Sequence, residues 1–210
     1  MSKLLNVSSS PHVRCGVSTK NLMYDVAIAM LPATIWGVMQ FGIYSLIVVV
    51  ATVLSCVLSE YLFETLMHKP VTISDGSALV TGMILGLNMP PAIPLWMPIL
   101  GGVFAIIVVK QLYGGLGQNW MNPALAARCF MLISFAQAMT KFTDPVTDAV
   151  ASATPLAAIK AGDTYDLAAM FIGKIPGTIG EVSVIALLIG AAYLLVKKVI
   201  TIRIPAAYIL

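Results

Sequence analysis

From Ile43 to Ser59 the chain runs without a single charged side chain. Comparably apolar blocks recur from Met23 to Met39, from Ile93 to Val109 and toward the end, up to Val196. A helix on the surface of a soluble domain keeps its apolar residues to one stripe. Blocks that are apolar all round read instead as helices facing lipid. Composition agrees: 59% of the residues are hydrophobic and 10% charged, against ~25% charged for an ordinary soluble domain, and the mean hydropathy is +0.94. The chain is therefore read as an integral membrane protein. The first 22 residues are polar and hold no short apolar core before a small-residue cleavage site, so the first span is expected to act as its own insertion signal.

The expected fold is all-α, a polytopic transmembrane helical bundle of six to seven spans. They are placed at Met23–Met39, Ile43–Leu66, Ser74–Asn88, Ile93–Val109, Pro123–Thr140 and Glu181–Val196, with a seventh beginning near Ile204 and interrupted at Leu210. Crossing a ~30 Å hydrocarbon layer takes about 20 residues. The third segment is shorter and glycine-rich, bounded by His68-Lys69-Pro70 and Met89-Pro90-Pro91, and reads as a broken or re-entrant helix. Residues 1–210 form one membrane domain, with carboxyl-terminal spans expected beyond it.

Charge distribution orients the bundle. With the amino terminus (residues 1–22) in the cytoplasm, the inner side collects Lys3, Arg14, Lys20, Lys69, Lys110, Lys197, Lys198 and Arg203. The outer side receives only Lys141, Lys160 and Lys174. Cytoplasmic loops carry the excess of Lys and Arg, so residues 141–180 are expected outside, as the longest hydrophilic connection, built from turns and short helices. Three cysteines (Cys15, Cys56, Cys129) without CxxC spacing define neither a disulfide framework nor a zinc or iron–sulfur site. Cys56 and Cys129, in apolar segments, read as buried small side chains. Both histidines flank spans, which argues against a haem held by paired imidazoles. A net charge of +3 gives no sign of nucleic-acid binding.

Two runs hold candidate chemistry. In Asp148-Ala149-Val150-Ala151-Ser152-Ala153-Thr154-Pro155, Thr154 is suited to cap a helix that Pro155 opens, and its small neighbours leave the hydroxyl sterically open. In Gly114-Gly115-Leu116-Gly117-Gln118-Asn119-Trp120-Met121-Asn122-Pro123-Ala124-Leu125-Ala126-Ala127-Arg128, Asn122 is placed to cap a helix starting at Pro123. The glycine spacing is not that of a dinucleotide fold.

Both runs resemble the RnfD/NqrB family, which carries a GGxGxNxxNPAxxAR segment and a flavinylation site ending in Ala-Thr. Ser10-Pro11-His12 and Asp75-Gly76-Ser77-Ala78-Leu79-Val80-Thr81-Gly82 resemble its RnfD branch. The likeness implies a urea-transporter-like fold and a membrane subunit of an ion-translocating ferredoxin:NAD oxidoreductase of the Rnf type. That complex sits in the bacterial inner (cell) membrane and moves Na+ or H+; the subunit does not catalyse alone. It implies FMN joined through its phosphate to Thr154 by a flavin transferase, with Asp148, Ser152 and Ala153 as the recognition motif. It also implies riboflavin bound non-covalently near Asn119 and Asn122, and partner subunits supplying the other redox centres. Where the family has glycine after the aspartate and a hydroxyl residue three before the acceptor, this chain has Ala149 and Ala151. A small-solute channel or transporter without a redox role, and a structural subunit without flavin, are the competing readings.

Charges inside the membrane default to functional hypotheses. Glu60 and Glu64 near the inner end of the second span, and Arg128 in the fifth, either reach the interface or form a structural Glu60–Arg128 pair. Asp75 reads as a helix cap or as part of a cation path.

Overall fold

The computed structural model describes residues 18–143, 150–151, 159–160 and 167–209. Its longest helices form where the apolar blocks are longest. Helix α1 (Thr19–Phe41) starts under a cap in which Ser18 Oγ accepts from the Asn21 N–H, and Gly42 separates it from α2 (Ile43–Leu66). Gly42 takes φ 80° and ψ −178°, a backbone region essentially reserved for glycine. Among the described residues, α1 and α2 are the two helices long and apolar enough to cross a membrane. After a 3₁₀ turn at Ile73–Asp75 come α3 (Ser77–Leu87) and α4 (Trp96–Val103), the latter continuing as a π-helical segment, Phe104–Gln111. α5 (Pro123–Ser134) is followed by one turn, α6 (Ala136–Met139). Beyond them lie α7 (Leu167–Ile172), α8 (Val184–Val196) and α9 (Arg203–Ile209).

Three expectations change. The third segment becomes helical only at Ser77. The fifth breaks at Phe135, whose φ −132° and ψ 45° are not helical. The 141–180 connection, expected to lack strands, contains a short antiparallel pair, β1 (Phe142–Thr143) and β2 (Val150–Ala151), with Phe142 opposite Ala151.

The bundle buries polar side chains within an apolar core and is apolar on much of its outside. In α2 the buried face reads Ser45, Val48, Val49, Thr52, Ser55, Cys56, Ser59, Glu60 and Glu64, a run at three- and four-residue spacing. The exposed face reads Leu46, Val50, Leu54, Leu58 and Leu62. Water would reverse that arrangement, since burying hydroxyls and carboxylates while wetting leucines is unfavourable. In lipid the outer face meets hydrocarbon, and polar groups turn inward to find one another. Ser55 Oγ donates to the Ile99 carbonyl at 2.7 Å, linking α2 to α4.

Small residues let these polar faces close. α3 lies along α2, where a β-carbon added at Gly82 would sit 2.6 Å from Val53 Cα and one at Gly86 would sit 3.0 Å from Val49 Cα. This four-residue glycine spacing brings two helix backbones into direct contact, as in small-xxx-small packing.

The helix ends sort into two layers. The starts of α1, α3 and α5 gather with the ends of α2, the π segment and α8. Tyr193 Oη near the end of α8 donates to Asp25 Oδ1 near the start of α1 at 2.8 Å. At the opposite layer the Ile179 and Gly180 N–H groups donate to the Met89 and Leu87 carbonyls, and Tyr44 Oη donates to the Ile93 carbonyl. Gly82→Ala should force α2 and α3 apart and destabilise the protein by about 1–3 kcal/mol, read as earlier thermal unfolding in detergent micelles.

Candidate functional site

At the layer where α1, α3 and α5 begin, three elements bring buried polar side chains together. Lys110, near the end of the π segment, donates from Nζ to Glu60 Oε1 on α2 and to Ser77 Oγ at the start of α3, both at 2.6 Å. Lys110 is 2% exposed and Glu60 0%. Gln111 Nε2 donates to the same Glu60 oxygen at 2.8 Å and to Glu64 Oε1 at 3.2 Å. Two consecutive residues thus serve one acceptor. An α-helix turns successive side chains well apart, whereas the extra residue per turn in π geometry narrows that angle, and such segments recur at functional sites.

Hydrogen bonds extend from this centre toward the surface. Ser77 donates from Oγ and from its backbone N–H to Asp75 Oδ1 at 2.6 and 2.7 Å. Asp75 therefore holds the entry to α3, as expected of a cap, although Gly76 in the left-handed region (φ 79°) occupies the cap position itself. Glu64 accepts from the Thr72 hydroxyl and from the Thr72 N–H at 2.9 Å. Among the described residues, Glu60 Oε2 is buried without a hydrogen-bond partner.

The expected Glu60–Arg128 pair is not formed. Arg128 instead donates from Nη1 to Asn88 Oδ1 at 2.6 Å, at the end of α3 remote from Ser77. Glu60 is claimed by Lys110, which the charge distribution alone put at the interface. Nor do Glu60 and Glu64 snorkel: both are buried. Parallel alignment of α2 with α4 and the π segment explains this, because it sets their like ends side by side. The charge bias assigns those two ends to the same side of the membrane; that was the signal available for the pairing. Cys56 is buried as expected, but Cys129 is exposed, because α5 turns it away from the bundle.

A cavity of about 200 Å³ opens beside this cluster, lined by Ser77, Thr81, Lys110, Leu116, Asn119, Asn122 and residues of α1, α3 and α5. The runs 75–82 and 114–128, which lie apart in sequence, meet here. Asn122 Oδ1 caps α5, accepting from the Ala124 and Leu125 N–H groups at 3.0 and 3.4 Å. Asn119 Nδ2 donates to the Met121 carbonyl at 2.7 Å, tying the turn. Each asparagine thus spends one end of its amide on the backbone. Asn122 Nδ2, a donor, and Asn119 Oδ1, an acceptor, make no hydrogen bond among the described residues. Asn122 also borders a second cavity of about 440 Å³ lined by Phe104, Val108, Tyr113, Trp120 and Cys129. The smaller cavity sets Ser77, Thr81, Lys110, Asn119 and Asn122 among the apolar Met23, Val80, Ile84, Leu116 and Pro123, and the larger one beside it is apolar and aromatic. Hydrogen-bonding groups next to such walls suit a planar ring with one heteroatom-rich edge and one hydrocarbon edge, such as a flavin. Asp148, Ser152, Ala153 and Thr154 lie outside the described residues.

The sequence matches the NQR2, RnfD, RnfE family over residues 6–210. The chain belongs to that family. It is 47% identical over 212 residues to a subunit of the Na(+)-translocating ferredoxin:NAD(+) oxidoreductase complex of Acetobacterium woodii, a match covering 98% of this chain and 67% of that protein. It is 40% identical over 220 residues to the corresponding subunit of the proton-translocating ferredoxin:NAD(+) oxidoreductase complex of Clostridium ljungdahlii, covering 98% and 66%. It is 32% identical over 234 residues to a subunit of the ion-translocating oxidoreductase complex of Rhodobacter capsulatus, covering 95% and 65%. This member of the NQR2, RnfD, RnfE family spans about two thirds of the length of those relatives.

Lys110→Met strands the Glu60 carboxylate in the interior and should destabilise this family member by about 3–5 kcal/mol. Glu60→Gln/Lys110→Met, which removes both charges, should recover most of that loss. A double-mutant cycle on thermal unfolding in micelles checks the coupling.

Proposed function

We propose that this chain is a multi-pass membrane subunit of an ion-translocating ferredoxin:NAD oxidoreductase complex of the Rnf type, relaying electrons through flavins in concert with Na+ or H+ movement. The observation that carries the reading is the meeting of the Asn119–Asn122 turn and the start of α3 at one cavity, with Lys110 in its wall and an aromatic cavity beside it. The complexes named for its relatives support the same reading. They favour it over a solute channel, although a urea-transporter-like arrangement of six to seven spans remains part of the proposal.

In this reading a riboflavin seats its heteroatom edge against Asn119 and Asn122, whose remaining donor and acceptor match the mixed edge of such a ring. FMN is carried on Thr154 through a phosphoester, installed by a flavin transferase that reads Asp148, Ser152 and Ala153. When bound, each flavin supplies one- and two-electron redox chemistry; the protein positions it and tunes its surroundings. The chain is one membrane domain, and its remaining partners are the membrane and peripheral subunits that supply the other redox centres. The excess of cations on the side holding residues 1–22 puts that side in the cytoplasm of a bacterial cell. The Asn119–Asn122 cavity then lies toward the cytoplasm and the Thr154 loop outside.

Denatured protein from native membranes should fluoresce in the gel under ultraviolet light, and Thr154→Ala should abolish the band. A band that survives the substitution would place the covalent flavin elsewhere. Asn119→Leu should remove most of the acid-extractable riboflavin from the purified complex while the fluorescent band remains; unchanged riboflavin would move the second flavin out of this cavity.

A further inference from the structure

The cavity at the Asn119–Asn122 turn has a feature that neither asparagine accounts for: a buried lysine in its wall. Lys110 is almost wholly enclosed yet lines the same space as both asparagines. Its ammonium is held by Ser77 Oγ and by one oxygen of Glu60, each at 2.6 Å. Glu60 Oε2 is buried and unpartnered among the described residues, while Lys110 gives a second hydrogen bond to Ser77, which lines the same cavity. The π segment that delivers Lys110 also turns Gln111 onto Glu60, so the carboxylate is fixed from two sides and its charge is anchored behind the lysine.

We infer that Lys110 is a positioning residue for the cavity's ligand, a redox-active heteroaromatic ring, and that the Lys110–Glu60 couple sets how readily that ring accepts an electron. This rests on the reading that a flavin occupies the site. The ring gains negative charge on its heteroatom edge when it receives an electron from a reduced donor of the complex. Lys110 acts on that charge through space, with no bond made or broken and no proton leaving Nζ. Charge close to a flavin's ring nitrogens is a recognised lever on its potential, and in a water-poor interior its influence is far stronger than in bulk solvent. Glu60 opposes the effect. The couple therefore works as a graded bias in which the lysine favours the reduced ring and the carboxylate limits how far.

The opposed signs make the inference testable by spectroelectrochemical titration of the purified native complex. The signal of this site is assigned as the riboflavin component lost in Asn119→Leu. Glu60→Gln leaves the lysine uncompensated and should increase the reduced-to-oxidised ratio at fixed potential at least tenfold, about 59 mV for a one-electron couple. Glu60→Gln/Lys110→Met, which retains neither charge, should shift back by a similar factor, with the covalent flavin's potential unmoved in both variants. Riboflavin retained with one potential in wild type and both variants would overturn the role of Lys110. Complete absence of riboflavin from the wild-type complex would instead overturn the flavin reading beneath it. Should the double variant fail to assemble, Glu60→Gln alone decides: an unshifted potential refutes the inference, and a rise supports it.

Discussion

The ion pair between Lys110 and Glu60 is the contact on which this end of the bundle depends. It ties α2 to the π segment, and through Ser77 it reaches the start of α3. In lipid no water is at hand to solvate a stray charge, so either partner alone would be a heavy burden. Once both are present and hydrogen-bonded, the three elements are held in one register. The glycine contacts of α3 on α2 then follow, because Gly82 and Gly86 meet Val53 and Val49 only when the two helices lie at that depth. A buried pair of this kind does not by itself guarantee stability, since desolvation offsets much of the attraction. Its value here is specificity: it selects one alignment of apolar helices that could slide past one another at little cost.

The inverted arrangement of α2, with serines, threonines and carboxylates inside and leucines outside, also explains how a cavity with polar groups in its wall comes to stand inside so apolar a chain. Hydrocarbon provides no hydrophobic drive to bury leucine, so association rests on close packing and on polar groups finding partners. Space that small residues leave unfilled is consequently lined by hydroxyls, amides and a buried lysine as well as by aliphatic side chains. The aromatic cavity on the other side of Asn122 has a different origin. The glycine-rich turn before α5 throws Trp120 outward beside Tyr113, their rings 6.3 Å apart, and Phe104 stacks on Phe130 at 4.3 Å.

Local features were the most legible. Asn122 as the cap of α5 follows from short-range chemistry, since a side-chain oxygen next to free N–H groups needs nothing distant. The places of α1 and α2 follow likewise from unbroken apolar runs. Less legible were the break at Phe135, where no proline or glycine marks the end of a helix, and the π geometry of Phe104–Gln111, which no composition signals. The strand pair at Phe142 and Ala151 is too short to leave an alternating pattern.

By itself, then, the sequence determined the apolar surroundings this protein folds in, the places of its two longest described helices, α1 and α2, and the motifs that assign it to its family. These rest on transfer energies and on contacts between near neighbours. Only the tertiary structure decided that Glu60 pairs with Lys110 and not Arg128, that Arg128 turns to Asn88, and that the start of α3 and the Asn119–Asn122 turn share one cavity. Those outcomes depend on which helix faces abut and at what depth. Close backbone approach at glycines and the rotation imposed by a π segment set both, and neither is a property of any single stretch of chain.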